Sequence, residues 1–140
     1  MDTRTALAEL TATTDELTHI RCLLIDARER AESARAALTL AIAQAEREII
    51  DAAGGPKALG GNEADRERAL TIALAEYPAV TVAQQHVEDA ARALAELEAD
   101  FEAARDRRRL IEWHLRLGLI DRSLLASRPA LADALLSQAA

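Results

Sequence analysis

The residues with the most chemical potential in this chain are few and scattered. The histidines are His19, His86 and His114, and Cys22 is the single cysteine. His19 and Cys22 stand three apart, so one helix face could present both to a soft metal. Two ligands do not make a site, however, since tetrahedral zinc needs four. No His-Glu-x-x-His element exists, and His86-Val87-Glu88-Asp89 runs in the reverse order to the Glu-x-x-His pairs of di-metal bundles. As a nucleophile Cys22 would need a base and an electropositive setting; it lies mid-helix between Arg21 and Leu23, so an inert thiol is expected. The carboxylates Glu96, Glu98, Asp100 and Glu102 alternate around a helix rather than converge. These patterns lead to the expectation of no catalytic group, no metal and no cofactor.

A second candidate is the glycine-rich stretch Gly54-Gly55-Pro56-Lys57, followed by Gly60-Gly61-Asn62. Backbone amides at a helix N-terminus bind anions. Lys57, Asn62 and Arg66 could hold a small anionic ligand there in an oligomer. No strand precedes the stretch and no Gly-Lys-Ser/Thr follows, so it is not a P-loop. Glu63 and Asp65 in the first turn would repel an anion.

The third candidate is Arg105-Asp106-Arg107-Arg108-Arg109, followed by Trp113, His114 and Arg116. Five arginines against two carboxylates give +3 between Arg105 and Arg116, leaving −10 for the rest of a chain whose total is −7. Arg109 and Trp113, four apart, have the spacing with which single-strand binders stack a guanidinium and a ring beside a base. The segment fits equally well a salt-bridged helix surface or a docking site for an acidic protein. Arg105, Arg107, Arg108, Arg109, Trp113 and Arg116 are the binding residues this reading selects.

The elements that carry these residues are helices. Of 140 residues, 33 are Ala, 21 Leu and 16 Arg, with one Lys and three aromatics, Tyr77, Phe101 and Trp113. Sheet proteins need β-branched and aromatic residues and frequent turns, and disordered chains are poorer in apolar residues. From Thr3 to Ala53 no Gly or Pro occurs. Leu10, Leu17, Leu24, Ala31, Leu38 and Ala45 recur every seven residues, with Ile20, Ala27, Ala34 and Ala41 interleaved, an a/d heptad stripe. Late in the segment the stripe drifts through Ile42 and Ile49. Gly54-Gly55-Pro56 ends this helix and opens a loop over 54–61. Asn62 then caps a short helix over 62–77. After Pro78 a second long helix, 79–118, carries Val80, Ala83, Val87, Ala90, Leu94, Leu97, Phe101, Ala104, Arg108, Ile111 and Leu115 at alternating spacings of three and four. It is expected to end near Gly118. A short tail helix follows over 121–140, with Ser127 as N-cap, Pro129 in its first turn, and Leu131, Leu135 and Leu136 as its apolar side.

The expected fold is therefore all-α and a single domain. It is a long antiparallel helical hairpin of coiled-coil type, with a short connector helix and a short C-terminal helix. Alanine at many seam positions permits close approach. A two-helix seam has two open sides, so a homo-oligomer is expected, with a four-helix dimer preferred. The net charge of −7 argues against general coating of nucleic acid. With one cysteine, no intramolecular disulfide forms. The N-terminus shows no basic then apolar signal region and no 18-residue apolar run occurs, so a cytoplasmic protein without a membrane span is expected.

The connector Ala-Leu-Gly-Gly-Asn-Glu-Ala-Asp-Arg, Ala58 to Arg66, followed by a Glu/Ala/Leu-rich helix ending in Arg107 to Arg109, resembles small coiled-coil proteins of uncharacterised function encoded by bacteriophages and prophages. In those, a Leu then Asn-Glu-x-x-Arg element joins two long helices. The matching positions are Leu59, Asn62, Glu63 and Arg66, and the resemblance spans Ala58 to Leu117. The extra glycines and the C-terminal tail depart from that pattern. The resemblance implies a non-enzymatic, partner-binding helical protein of mobile-element origin. Three functional expectations follow: a self-associating interaction protein with a protein partner, a single-stranded nucleic-acid accessory protein using the Arg105–Arg116 patch, and an oligomeric binder of a small anion.

Overall fold

The computed structural model describes residues 2–127. Among these, every regular element is helical: α1 (Thr3–Ala53), a 3-10 turn (Pro56–Leu59), α2 (Glu63–Ala75) and α3 (Pro78–Ser127). The residues cluster in two compact units. One comprises the chain up to Arg21 together with the chain from Ala99 onward, and the other is Cys22–Glu98. In each unit a segment of α1 packs antiparallel against a segment of α3, the helical-hairpin pairing that the heptads predict.

In the first unit, Thr3 is bonded to Arg122, Glu16 to Arg107, and Arg21 lies over Phe101. Partner numbers fall on α3 as they rise on α1, which is the antiparallel register. Ala6, Leu17, Ile20, Ala104 and Ile111 form its buried apolar positions, with Thr13 among them. Thr13 stands seven residues before Ile20, on the same stripe. Its hydroxyl donates to the Glu9 carbonyl at 2.7 Å, so the seam holds no orphaned polar atom there. Thr11, Thr14 and Thr18 bond their own preceding turns in the same way.

In the Cys22–Glu98 unit, Leu24, Ala27, Ala31, Ala45 and Val80 are buried. Heptad alanines let the two backbones approach, at the cost of little apolar area per position. Among the described residues no large side chain is fully buried. The drift at the end of α1 is real: Ile42 and Ile49 are half-buried beside Ala45.

α1 ends where the glycines stand. Gly54 has φ 88° and Gly55 φ 121°. The Gly54 amide donates to the Asp51 carbonyl at 3.1 Å and the Gly55 amide to the Ile50 carbonyl at 3.0 Å. These two bonds form a Schellman closure, which satisfies end carbonyls and needs left-handed backbone. Pro56 then opens the 3-10 turn within the expected loop. Asn62 caps α2 as expected: its side chain accepts from the Asp65 amide at 2.8 Å, and its Nδ2 donates back to Asp65 Oδ2 at 2.9 Å. Gly60 is the close approach in this corner, because a Cβ there would sit 2.8 Å from Asp65 Cβ. α2 buries none of its residues.

α3 differs from expectation at its far end. It begins at Pro78, in the first-turn position where a missing N–H costs nothing. It does not stop near Gly118 but continues to Ser127. An isolated glycine in a helix interior costs only about 1 kcal/mol relative to Ala. Gly118 has neither a left-handed φ nor a following proline, unlike Gly54-Gly55-Pro56. Residues 121–127, expected to belong to the tail helix, are thus the last turns of α3. The remainder of that expected helix, with Pro129, Leu131, Leu135 and Leu136, lies outside the described residues.

Candidate interaction surface

The surface of the first unit is set by the periodicity of α3. Ala104, Arg108, Ile111 and Leu115 recur at three and four and turn toward α1; Ala104 and Ile111 are buried, Arg108 and Leu115 half-buried. That leaves Leu110, Trp113 and Leu117, at spacings of three and four, on the side turned away. They lie within about 60° of one another around the helix. Their exposures are 69%, 63% and 51%. A second apolar stripe thus runs along the back of α3, uncovered among the described residues. Leu110 also borders a shallow hollow with Ala12, Glu16 and Ile111. The stripe has the spacing of an amphipathic docking face, and it was readable in the sequence from Leu110 and Leu117 on either side of Trp113.

The arginines flank this stripe, and each one described in an ion pair has a nearby carboxylate. Arg107 reaches across to Glu16 of α1 at 2.8 Å. Arg105 pairs with Glu102 and Arg109 with Asp106, one turn back on α3. Arg108 lies on the apolar stripe and is half-buried. It pairs with Glu112 of its own helix at 2.9 Å, which gives the half-buried guanidinium an ionic partner. Arg116 and His114 are exposed on the same stretch. Arg109 is engaged with Asp106 rather than with Trp113. The cation–π contact among the described residues is Arg21 over Phe101, 5.6 Å from the ring centre. Exposed pairs of this kind contribute about 0–1 kcal/mol each, so a partner's carboxylates could exchange with them.

The connector assembles differently. Asn62 and Arg66 come together, since Arg66 Nε donates to the Asn62 carbonyl at 3.3 Å and the Asn62 side chain is occupied by Asp65. Lys57 stands exposed in the 3-10 turn. An anion approaching the start of α2 would meet the Glu63 and Asp65 carboxylates. Asn62 and Arg66, with Asp65, therefore build a helix cap, and Lys57 stands apart from it.

The remaining chemical candidates stay dispersed. Cys22 is exposed, as are His19 and His86. Among the described residues no group of three metal-ligating side chains converges. No described helix is long and apolar enough to cross a membrane. In the Cys22–Glu98 unit, the Tyr77 hydroxyl donates to the Glu48 carboxylate. That bond, followed by burial and the Glu48 charge, raises the phenol pKa above its ordinary value. Neither residue stood out in the sequence, because a pair far apart in the chain leaves no local pattern.

Along the seam of the same unit, coverage is uneven. Leu24, Ala27 and Ala31 of α1 are buried. On α3, however, Ala83, Val87, Ala90, Leu94 and Leu97 are all only half-buried. One partner helix covers one side of those residues and leaves the other open.

No family model matches this sequence, no curated protein matches it, and no solved structure matches it.

Proposed function

We propose that the protein is a non-enzymatic helical interaction protein that pairs with a second copy of itself and binds a protein partner. The observation that carries this reading is the half-open row Ala83, Val87, Ala90, Leu94 and Leu97 on α3. Heptad positions of this kind are closed in four-helix bundles by a second helix pair. The likeness of the Leu59-to-Arg66 connector to phage and prophage coiled-coil proteins supports the same class of function. A cytoplasmic setting fits a chain with one exposed cysteine.

Sedimentation equilibrium on the full chain tests the pairing. A dimer at micromolar concentration is the expected result. A clean monomer at high micromolar concentration overturns it.

A further inference from the structure

The back of α3 is a different surface from the half-open seam, and its chemistry is more specific. Leu110, Trp113 and Leu117 expose a continuous apolar stripe about one and a half to two turns long. On helical spacing, Arg105, Arg109 and Arg116 fall along one edge of the stripe and Arg107 and His114 along the other. The local balance is +3 in a chain that is −7 overall. The stripe is thus a small apolar face rimmed by arginines, of which Arg105, Arg107 and Arg109 already face Glu102, Glu16 and Asp106, on an otherwise anionic molecule.

We infer that this face docks an amphipathic helix of another protein, one whose apolar residues recur at three and four and whose flanks carry Asp and Glu. The inference rests on the protein-partner half of the proposed function and names the partner's chemistry. The exposed ring and two leucines at i, i+3 and i+7 have the spacing with which one amphipathic helix packs along another. The cationic rim complements acidic flanks, and the rim arginines exchange one exposed carboxylate for another at little cost. A second copy presenting the same face would set arginine edge against arginine edge, which costs free energy.

Trp113 is the only tryptophan, so its emission reports this face directly. The 140-residue chain is titrated with three probes. One is a synthetic 18-residue amphipathic helix with leucines at three and four and glutamates on both flanks. The second is the same peptide with lysine flanks, and the third is a single-stranded 20-nucleotide DNA. Docking is expected to give a saturable blue shift with the glutamate peptide, weakened by salt, and at least tenfold weaker binding by the lysine peptide. Arg109→Glu with Arg116→Glu should reverse that preference, while Leu110→Ser with Leu117→Ser should abolish the shift. Circular dichroism checks that both variants remain helical, and both alter exposed positions.

Equal binding of the two peptides, or no shift with the glutamate peptide, overturns the inference. A salt-sensitive response to the DNA alone overturns it in favour of nucleic acid. A blue shift that depends on the protein's own concentration, without peptide, overturns it in favour of a copy-to-copy contact. Sedimentation on the same samples separates the two proposals. A monomer that binds the glutamate peptide retains this inference and removes the pairing, and a dimer that ignores the peptide does the opposite.

Discussion

The Tyr77 hydroxyl donates a hydrogen bond to the Glu48 carboxylate, joining the residue before Pro78 to the late turns of α1. Tyr77 is where α2 has ended and α3 has yet to begin, and its own amide still bonds the Leu74 carbonyl at 3.1 Å. The pair therefore fixes the corner of the Cys22–Glu98 unit from outside its seam. It does so with a surface bond.

That bond predicts a pH dependence. The phenol is raised above its ordinary value near 10 by the Glu48 bond. Ionising it removes the donor and places two negative charges together. The contribution to stability is thus complete below about pH 10 and is lost as pH rises through the higher folded value. Tyr77 is the sole tyrosine, so ultraviolet absorbance of the phenolate titrates it without interference. Glu48→Gln should return the midpoint toward about 10. An unchanged midpoint in that variant would show that the bond is not formed in solution.

Seam and surface positions one residue apart should behave differently. Leu24 is 6% exposed and Ile25 is 57% exposed. Leu24→Ala should cost about 2–3 kcal/mol, toward the low end for core leucines because the seam can partly close. Ile25→Ala should change stability by no more than about 0.5 kcal/mol. Urea denaturation at fixed protein concentration measures both.

Replacing Leu97 by Asp puts an unpaired charge into the seam and against the half-open row. The expected outcome is loss of cooperative unfolding or dissociation, read by circular dichroism together with sedimentation. A variant with wild-type stability and mass would mean that Leu97 faces water in the assembled protein.

The connector makes two demands that substitutions separate. Asn62→Ala removes the cap of α2 and should cost about 1 kcal/mol. Gly60→Ala should also destabilise, by steric contact with Asp65 rather than by lost bonding. Hydrogen exchange at the first amides of α2 distinguishes them. The cap variant should expose the Asp65 amide, while Gly60→Ala should disturb the turn before it.

Much of the architecture was legible because heptads encode one neighbour directly. Every heptad position assigned to α1 and α3 is buried or half-buried, from Leu10 to Ile49 and from Val80 to Leu115. The glycine pair and Asn62 also announced their roles, since Schellman closures and caps are set by residues within one turn. Thr13 escaped because a hydroxyl on a stripe looks like an interruption until its bond to Glu9 is seen. Gly118 misled for the opposite reason: glycine stops a helix only when the backbone turns left-handed, and sequence does not give φ. The arginine patch was legible as charge, but not its pairing. Whether Arg107 meets Glu16 or a phosphate depends on a helix distant in sequence.

The alanine-rich seam has a thermal consequence. The heat-capacity increment of unfolding scales with apolar area exposed, about 12–15 cal/mol/K per residue in ordinary globular domains. With alanine at half of the buried apolar positions among the described residues, the seam hides less of that area per residue. Its stability curve should accordingly be flatter than that of a globular protein of equal length. Stability should change slowly with temperature and resist cold.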